Sequence, residues 1–115
     1  MTIYLVDDEA AVLHALSHFL EKSGYSVKPY TSAEVFLEEA EDAMEGVILL
    51  DQRMPGMTGL ELQAELTRRG IAIPIIFITG LMDEQMHVEA VKAGAINVLK
   101  KPFSNEDLLE NIRAI

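Results

Sequence analysis

In Leu49–Gly59, LLDQRMPGMTG, an apolar run ends on a carboxylate, Asp51, and is followed at once by Pro55, Gly56 and Gly59. The run itself, Gly46–Leu50 (GVILL), shows no alternation of apolar and polar residues. That is the pattern of a strand covered on both faces, as in a parallel sheet lined by helices. Pro55 restricts Met54 to extended geometry, and Gly56 and Gly59 permit turns that other residues resist. Helix is kept from starting too early, and Asp51 is expected to stay exposed at the mouth of its strand.

Four more candidate strands are Ile3–Val6 (IYLV), Ser26–Tyr30 (SVKPY), Ile75–Ile78 (IIFI) and Ala95–Leu99 (AINVL), and three of the five runs are continuous rather than alternating. Lys28 and Pro29 suit the second to a sheet edge, since proline donates nothing to a ladder. Segments of helical period lie between the runs. Ala10–Ser23 carries Val12, Leu16, Phe19 and Leu20 at helical spacing and stops at Gly24. Thr31 with Glu34 spells a capping box ahead of Val35, Phe36 and Leu37, and Ser104 with Asp107 resembles one ahead of Leu108, Leu109 and Ile112. Leu60–Arg69 ends in two arginines before Gly70, and Asp83–Ala93 ends before Gly94. The alternation predicts an α/β fold, a doubly wound parallel sheet of five β-α units with helices on both faces. Its 115 residues suffice for one domain, residues 1–115, and are too few for an eight-unit barrel.

Composition removes several functions. There is no cysteine, hence no disulfide framework, thiolate metal site or cysteine nucleophile. Nineteen Asp and Glu against nine Lys and Arg give a formal charge of -10, which repels a phosphate backbone, so no direct nucleic-acid binding is expected. No basic leader and no apolar run of bilayer length is present, so a cytoplasmic location without membrane contact is expected. A flavin or nucleotide binder would need a glycine-rich loop after the first strand, where VDDE (Val6–Glu9) stands and would repel phosphates.

In doubly wound sheets ligands bind beyond the C-terminal ends of the strands. Asp7 and Asp8 follow the first run, Asp51 the third, Thr79 and Gly80 the fourth, and Lys101 with Pro102 the fifth. Taken alone, the acidic pair reads as a complement to a helix dipole, Thr79 as a turn residue and Lys101 as a surface charge. Converging, they make a site. Like charges about 5 Å apart at an effective dielectric near 20 repel by roughly 3 kcal/mol per pair, so three ionised carboxylates imply a neutralising cation. Hard oxygen donors suit Mg²⁺ or Mn²⁺ and argue against Zn²⁺ or copper. An open acidic cluster beside an ammonium is shaped for a phosphoryl group, with Asp51 the candidate nucleophile that becomes an acyl phosphate. His14 and His18, four apart on the first helix, lack a third ligand and are expected to face solvent, as is His87. Met54, Met57, Met82 and Met86 flank the site as packing residues.

VDDE, LLDQRMPGMTG, FITG (Phe77–Gly80), VKAGA (Val91–Ala95) and LKKPF (Leu99–Phe103), in this order across the whole chain, resemble the receiver domains of two-component response regulators. The resemblance implies a flavodoxin-like sheet of order 2-1-3-4-5. It makes Asp51 the phosphoacceptor for a phosphoryl group from a cognate histidine kinase. Asp8, Asp51 and the main-chain carbonyl of Arg53 become the direct protein ligands of Mg²⁺ (or Mn²⁺), with Asp7 acting through water. Lys101 pairs with the phosphoryl oxygens, and Thr79 swings in to hydrogen-bond the new group, drawing the following loop with it. The implied function is a phosphorylation-controlled signalling switch, a phosphoprotein and not an enzyme. Its changing surface is the fourth helix and fifth strand, through which phosphorylation favours a homodimer.

One position departs from the family's pattern. Many receivers carry Tyr or Phe three residues before the lysine, where this chain has Val98. Activation is then expected to run through Thr79, the next loop and repacking of the Asp83–Ala93 helix. The spacings are most similar to receivers attached to helix-turn-helix transcriptional activators, and the chain is expected to be the N-terminal fragment of such a regulator. A phosphatase with an aspartyl-phosphate intermediate is the enzyme alternative. It usually needs a second acid two residues after the nucleophile, where Arg53 stands and is expected instead to tune water access.

Overall fold

The computed structural model describes residues 1–42, 44–80 and 84–115. Strands β1 (Thr2–Val6), β2 (Ser26–Tyr30), β3 (Val47–Leu50), β4 (Ile75–Thr79) and β5 (Asn97–Lys100) alternate with helices α1 (Ala10–Lys22), α2 (Ala33–Glu39), α3 (Gly59–Arg68), α4 (Glu84–Lys92) and α5 (Asn105–Arg113). All the pairings are parallel, and the strand order is β2-β1-β3-β4-β5. The three unbroken apolar runs, β1, β3 and β4, lie in the middle of the sheet and are buried almost throughout. β2 is an edge strand with only Tyr30 buried, so Pro29 sits where a missing donor is tolerated.

Alternate residues of each central strand face opposite layers. Ile3, Leu5, Val47, Leu49, Ile76 and Ile78 pack against Leu13, Leu16 and Leu20 of α1 and Leu108 and Ile112 of α5. Tyr4, Val6, Ile48, Leu50 and Phe77 pack against Phe36 of α2, Leu62 and Leu66 of α3, and Met86 and Ala90 of α4. Phe36 anchors the second layer, meeting the rings of Tyr4 and Tyr30 edge-on at 5.8 and 5.2 Å. Val98 belongs to this layer, 5 % exposed and paired with Phe77, so β5 places a small branched side chain inside the core. Among the described residues no helix is long and apolar enough to cross a membrane.

The helix starts refine the sequence reading. α2 is capped by Ser32, whose hydroxyl accepts the Val35 N–H at 3.1 Å, and not by Thr31. Glu34 is thereby moved from the closing position of a capping box to the second residue of the helix. α3 begins in a full capping box, Thr58 accepting from Glu61 N and Glu61 from Thr58 N, one residue earlier than the periodicity placed it. Ser104 caps α5 as expected, accepting the Asp107 N–H at 3.0 Å. α4 starts at Glu84, and Asp83, expected as its first residue, lies outside the described residues. Replacing a serine cap costs about 1 kcal/mol. Ser32→Ala should therefore lower the denaturant midpoint by that equivalent and Thr31→Ala should leave it nearly unchanged; the reverse result would restore Thr31 as the cap.

Candidate metal and phosphoryl site

The ladder itself gathers the acids. Val6 lies opposite Leu50, and the pairing runs one step further, with the Asp51 N–H donating to the Val6 carbonyl at 2.9 Å. On the other side of β1 the Asp7 N–H donates to the Tyr30 carbonyl at 3.1 Å. Asp7 and Asp51, forty-four positions apart in the chain, thus emerge side by side at the C-terminal edge of the central strands. Asp7, Asp8 and Asp51 each offer a carboxylate oxygen within 4.8 Å of the others.

Lys101, just past β5, reaches into this cluster. Its Nζ lies 2.8 Å from Asp7 Oδ2, 3.8 Å from Glu9 Oε1 and 4.0 Å from Asp51 Oδ1. The other Asp7 oxygen, Oδ1, accepts the Glu9 N–H at 2.9 Å and so meets the donors that open α1. The peptide bond that follows, Lys101–Pro102, is cis. Thr79 closes β4 fully buried, and its main-chain carbonyl accepts the Lys101 N–H at 2.8 Å, tying the two strand ends together.

Asp51 is 3 % exposed, contrary to its expected exposure. The backbone at this strand end is approached closely by α3. A Cβ on Gly59 would stand 2.6 Å from the Asp51 carbonyl oxygen and 2.9 Å from the Phe77 ring, so the bare glycine lets the helix start close over the strand end. The loop between is held by Gly59 N–H to Gln52 O at 3.1 Å and Leu60 N–H to Gln52 Oε1 at 2.7 Å. Met54 is buried in the second core layer, Met57 packs partly buried against it, and Met86 is buried on α4, as packing residues should be. Met82 lies outside the described residues.

Burial and then the charge of Asp7, with Asp8 adding to it, push the Asp51 carboxyl up to about 6, while Lys101 and the Arg53 N–H pull it back. Burial alone would lower the Lys101 ammonium. The hydrogen bond and charge of Asp7, with the charges of Asp51 and Glu9, outweigh that and move it upward. Two buried acids, one exposed acid and a single ammonium leave the cluster under-neutralised, and the donor set is all oxygen. It fits a hard divalent cation and does not fit a soft one.

His14 and His18 are exposed, as expected. His87, expected at the surface, is half-buried on α4. Glu9 was missed by sequence reasoning although it directly follows Asp8. Gln52, which bonds the loop after Asp51, carried no motif signal, and Glu34, which bonds it as well, was read only as part of a capping box.

The model of the response regulator receiver domain matches residues 3–113. The response regulator protein TodT of Pseudomonas putida is 48 % identical over 112 residues, covering 97 % of this chain and 49 % of TodT. The transcriptional regulatory protein FixJ of Rhizobium meliloti is 45 % identical over 111 residues, covering 96 % of this chain and 54 % of FixJ. The chain spans about half the length of these curated relatives. The crystal structure of FixJ-N superposes with a TM-score of 0.90 at 45 % identity, over 97 % of this chain and 90 % of that one. The response regulator StyR gives 0.92 at 43 % identity, over 98 % of this chain and 57 % of that one. The chain therefore belongs to the response regulator receiver domains, the phosphorylation-controlled switches of two-component signalling.

Proposed function

We propose that this chain accepts a phosphoryl group from a histidine kinase onto Asp51, with Mg²⁺ (or Mn²⁺) held by Asp8, Asp51 and the Arg53 carbonyl and by Asp7 through water. The observation that carries this reading is the convergence of three carboxylates within 4.8 Å with Lys101 beside them. At neutral pH Asp51, raised only to about 6, is ionised and nucleophilic. One Asp51 oxygen bonds to phosphorus as the phosphorus–nitrogen bond of the donor breaks, and the electron pair returns to the donor's imidazole. A bound divalent cation supplies charge neutralisation for the phosphoryl oxygens and for the carboxylates around them. Lys101, already within reach of Asp51, turns from Asp7 to those oxygens. Thr79 hydrogen-bonds the new group and carries the change into the following loop and α4.

With Val98 already packed in the core, that route contains no aromatic rotation. The surface it alters includes Val88, Val91 and Ile96, apolar side chains exposed on α4 and just before β5, which suit a phosphorylation-dependent homodimer. As a switch this domain turns over no substrate of its own. It serves a cytoplasmic transcriptional regulator that continues beyond this chain, in keeping with relatives named as transcriptional regulators at roughly twice its length. The test is incubation with acetyl phosphate with and without Mg²⁺. The expected product is one base- and hydroxylamine-labile phosphoryl group on Asp51, formed only with the cation. Labelling elsewhere, or labelling that ignores the metal, would falsify the assignment.

A further inference from the structure

We propose that Glu34, on α2 while every proposed ligand lies just past the end of β1 or β3, is a positioning residue for the metal and phosphoryl site: its carboxylate pins the β3–α3 loop so that the Arg53 carbonyl is in place before a cation arrives. The inference rests on the ligand set proposed above. The loop of Gln52–Thr58 is fixed at its two ends, by Gln52 on one side and by the Thr58 capping box on the other. Its middle is met from outside by Glu34 of α2, whose Oε2 accepts the Met57 N–H at 3.2 Å across 23 residues of chain.

Gly56 shows how close that contact is. It turns with φ +78°, and a Cβ there would stand 2.4 Å from the same Glu34 oxygen. The carboxylate lies over the turn because glycine leaves the space, so Gly56 serves both the left-handed conformation and the docking of Glu34. Ser32 sets the start of α2 and so places Glu34 on its first turn, while Phe36, two residues on, anchors the helix in the core layer to which Met54 of the loop also belongs.

The plainer role for an acid in a first helical turn is to complement the helix dipole, a local effect that leaves a distant metal site untouched. The two roles separate in the cation's affinity. Freeing the loop would require its backbone to order when the ligand carbonyl engages, and ordering about one residue is worth roughly a factor of ten in an equilibrium constant.

The experiment is a Mg²⁺ titration of wild type, Glu34→Ala and Glu34→Gln. It is read by calorimetry and by the Mg²⁺ dependence of acetyl phosphate labelling, with circular dichroism to show that each variant is folded. Glu34→Ala should need about tenfold more Mg²⁺ for half-saturation, with the labelling rate at saturation reduced less than twofold. Glu34→Gln, which keeps an acceptor for the Met57 N–H, should recover most of the affinity. Unchanged Mg²⁺ dependence in a folded Glu34→Ala overturns the proposal, as does a Glu34→Gln variant as weak as Glu34→Ala. Wild type that neither binds Mg²⁺ nor takes up phosphate would instead remove the underlying site assignment.

Discussion

Asp51→Asn should take up no phosphoryl group from acetyl phosphate and should also melt roughly 10 °C higher than the wild type in metal-free buffer at pH 7.5. The first effect follows from chemistry, since an amide nitrogen or oxygen does not form the acyl phosphate. The second follows from linkage. Asp51 holds its proton in the folded state up to about 6, against an ordinary value of 3.8. Because the folded state binds this proton more tightly, the contribution of Asp51 to folding stability is highest at low pH and falls as pH rises from 3.8 through 6. Above that range the ionised carboxylate costs about 2–3 kcal/mol, equivalent to about 10 °C in a domain of this size. The isosteric amide removes that cost, so the melting gap should be full at pH 7.5 and close as pH drops toward 4. Saturating Mg²⁺ should narrow it as well, because a cation among the acids stabilises the wild type more than a variant with one charge fewer. Equal melting temperatures at pH 7.5 without metal would show that the cluster is not under electrostatic tension.

That tension was legible in the sequence only as topology. The apolar runs, read with their periods, give the order of elements, and the order gives the edge at which Asp7, Asp8, Asp51, Thr79 and Lys101 emerge. What the runs do not encode is depth. How closely α3 approaches the Asp51 backbone depends on tertiary contacts such as that of Gly59 with Phe77, eighteen residues away in sequence. The helix caps show the same boundary. The Thr58-to-Glu61 box has the readable spacing and is formed, whereas the equally spaced Thr31-to-Glu34 pair is not, because Ser32 takes the cap and Glu34 is drawn away to Met57. A local motif predicts its own hydrogen bonds only when no tertiary partner competes for the side chain. Glu34 illustrates the limit, since a contact spanning 23 residues leaves no periodic trace in a single chain.

Lys101→Ala separates the site's two sources of positive charge. In the metal-free protein Lys101 is the ammonium that meets the buried Asp7 carboxylate at 2.8 Å and stands 4.0 Å from Asp51. Removing one partner of such a pair leaves a buried charge uncompensated, a change worth about 3 kcal/mol of stability. The loss should be largest at neutral pH. Lys101 is one of the groups that hold the Asp51 carboxyl down, so without it Asp51 titrates above 6 and the variant regains stability as pH falls through that higher value. Mg²⁺ should restore much of the deficit, because a divalent ion among the same oxygens supplies the missing charge, and the melting temperature of the variant should depend more steeply on Mg²⁺ than that of the wild type. Phosphoryl uptake should not recover in parallel. The cation can replace Lys101 as a neutralising charge for Asp7 but not in its proposed role as a hydrogen-bond donor to the phosphoryl oxygens from the β5 side, and loss of such a donor lowers rates by on the order of 10². Acetyl phosphate labelling measured at saturating Mg²⁺, beside melting curves across a Mg²⁺ series, reads both effects in one set of samples. Recovery of labelling together with stability would mean that Lys101 acts on this cluster through its charge alone.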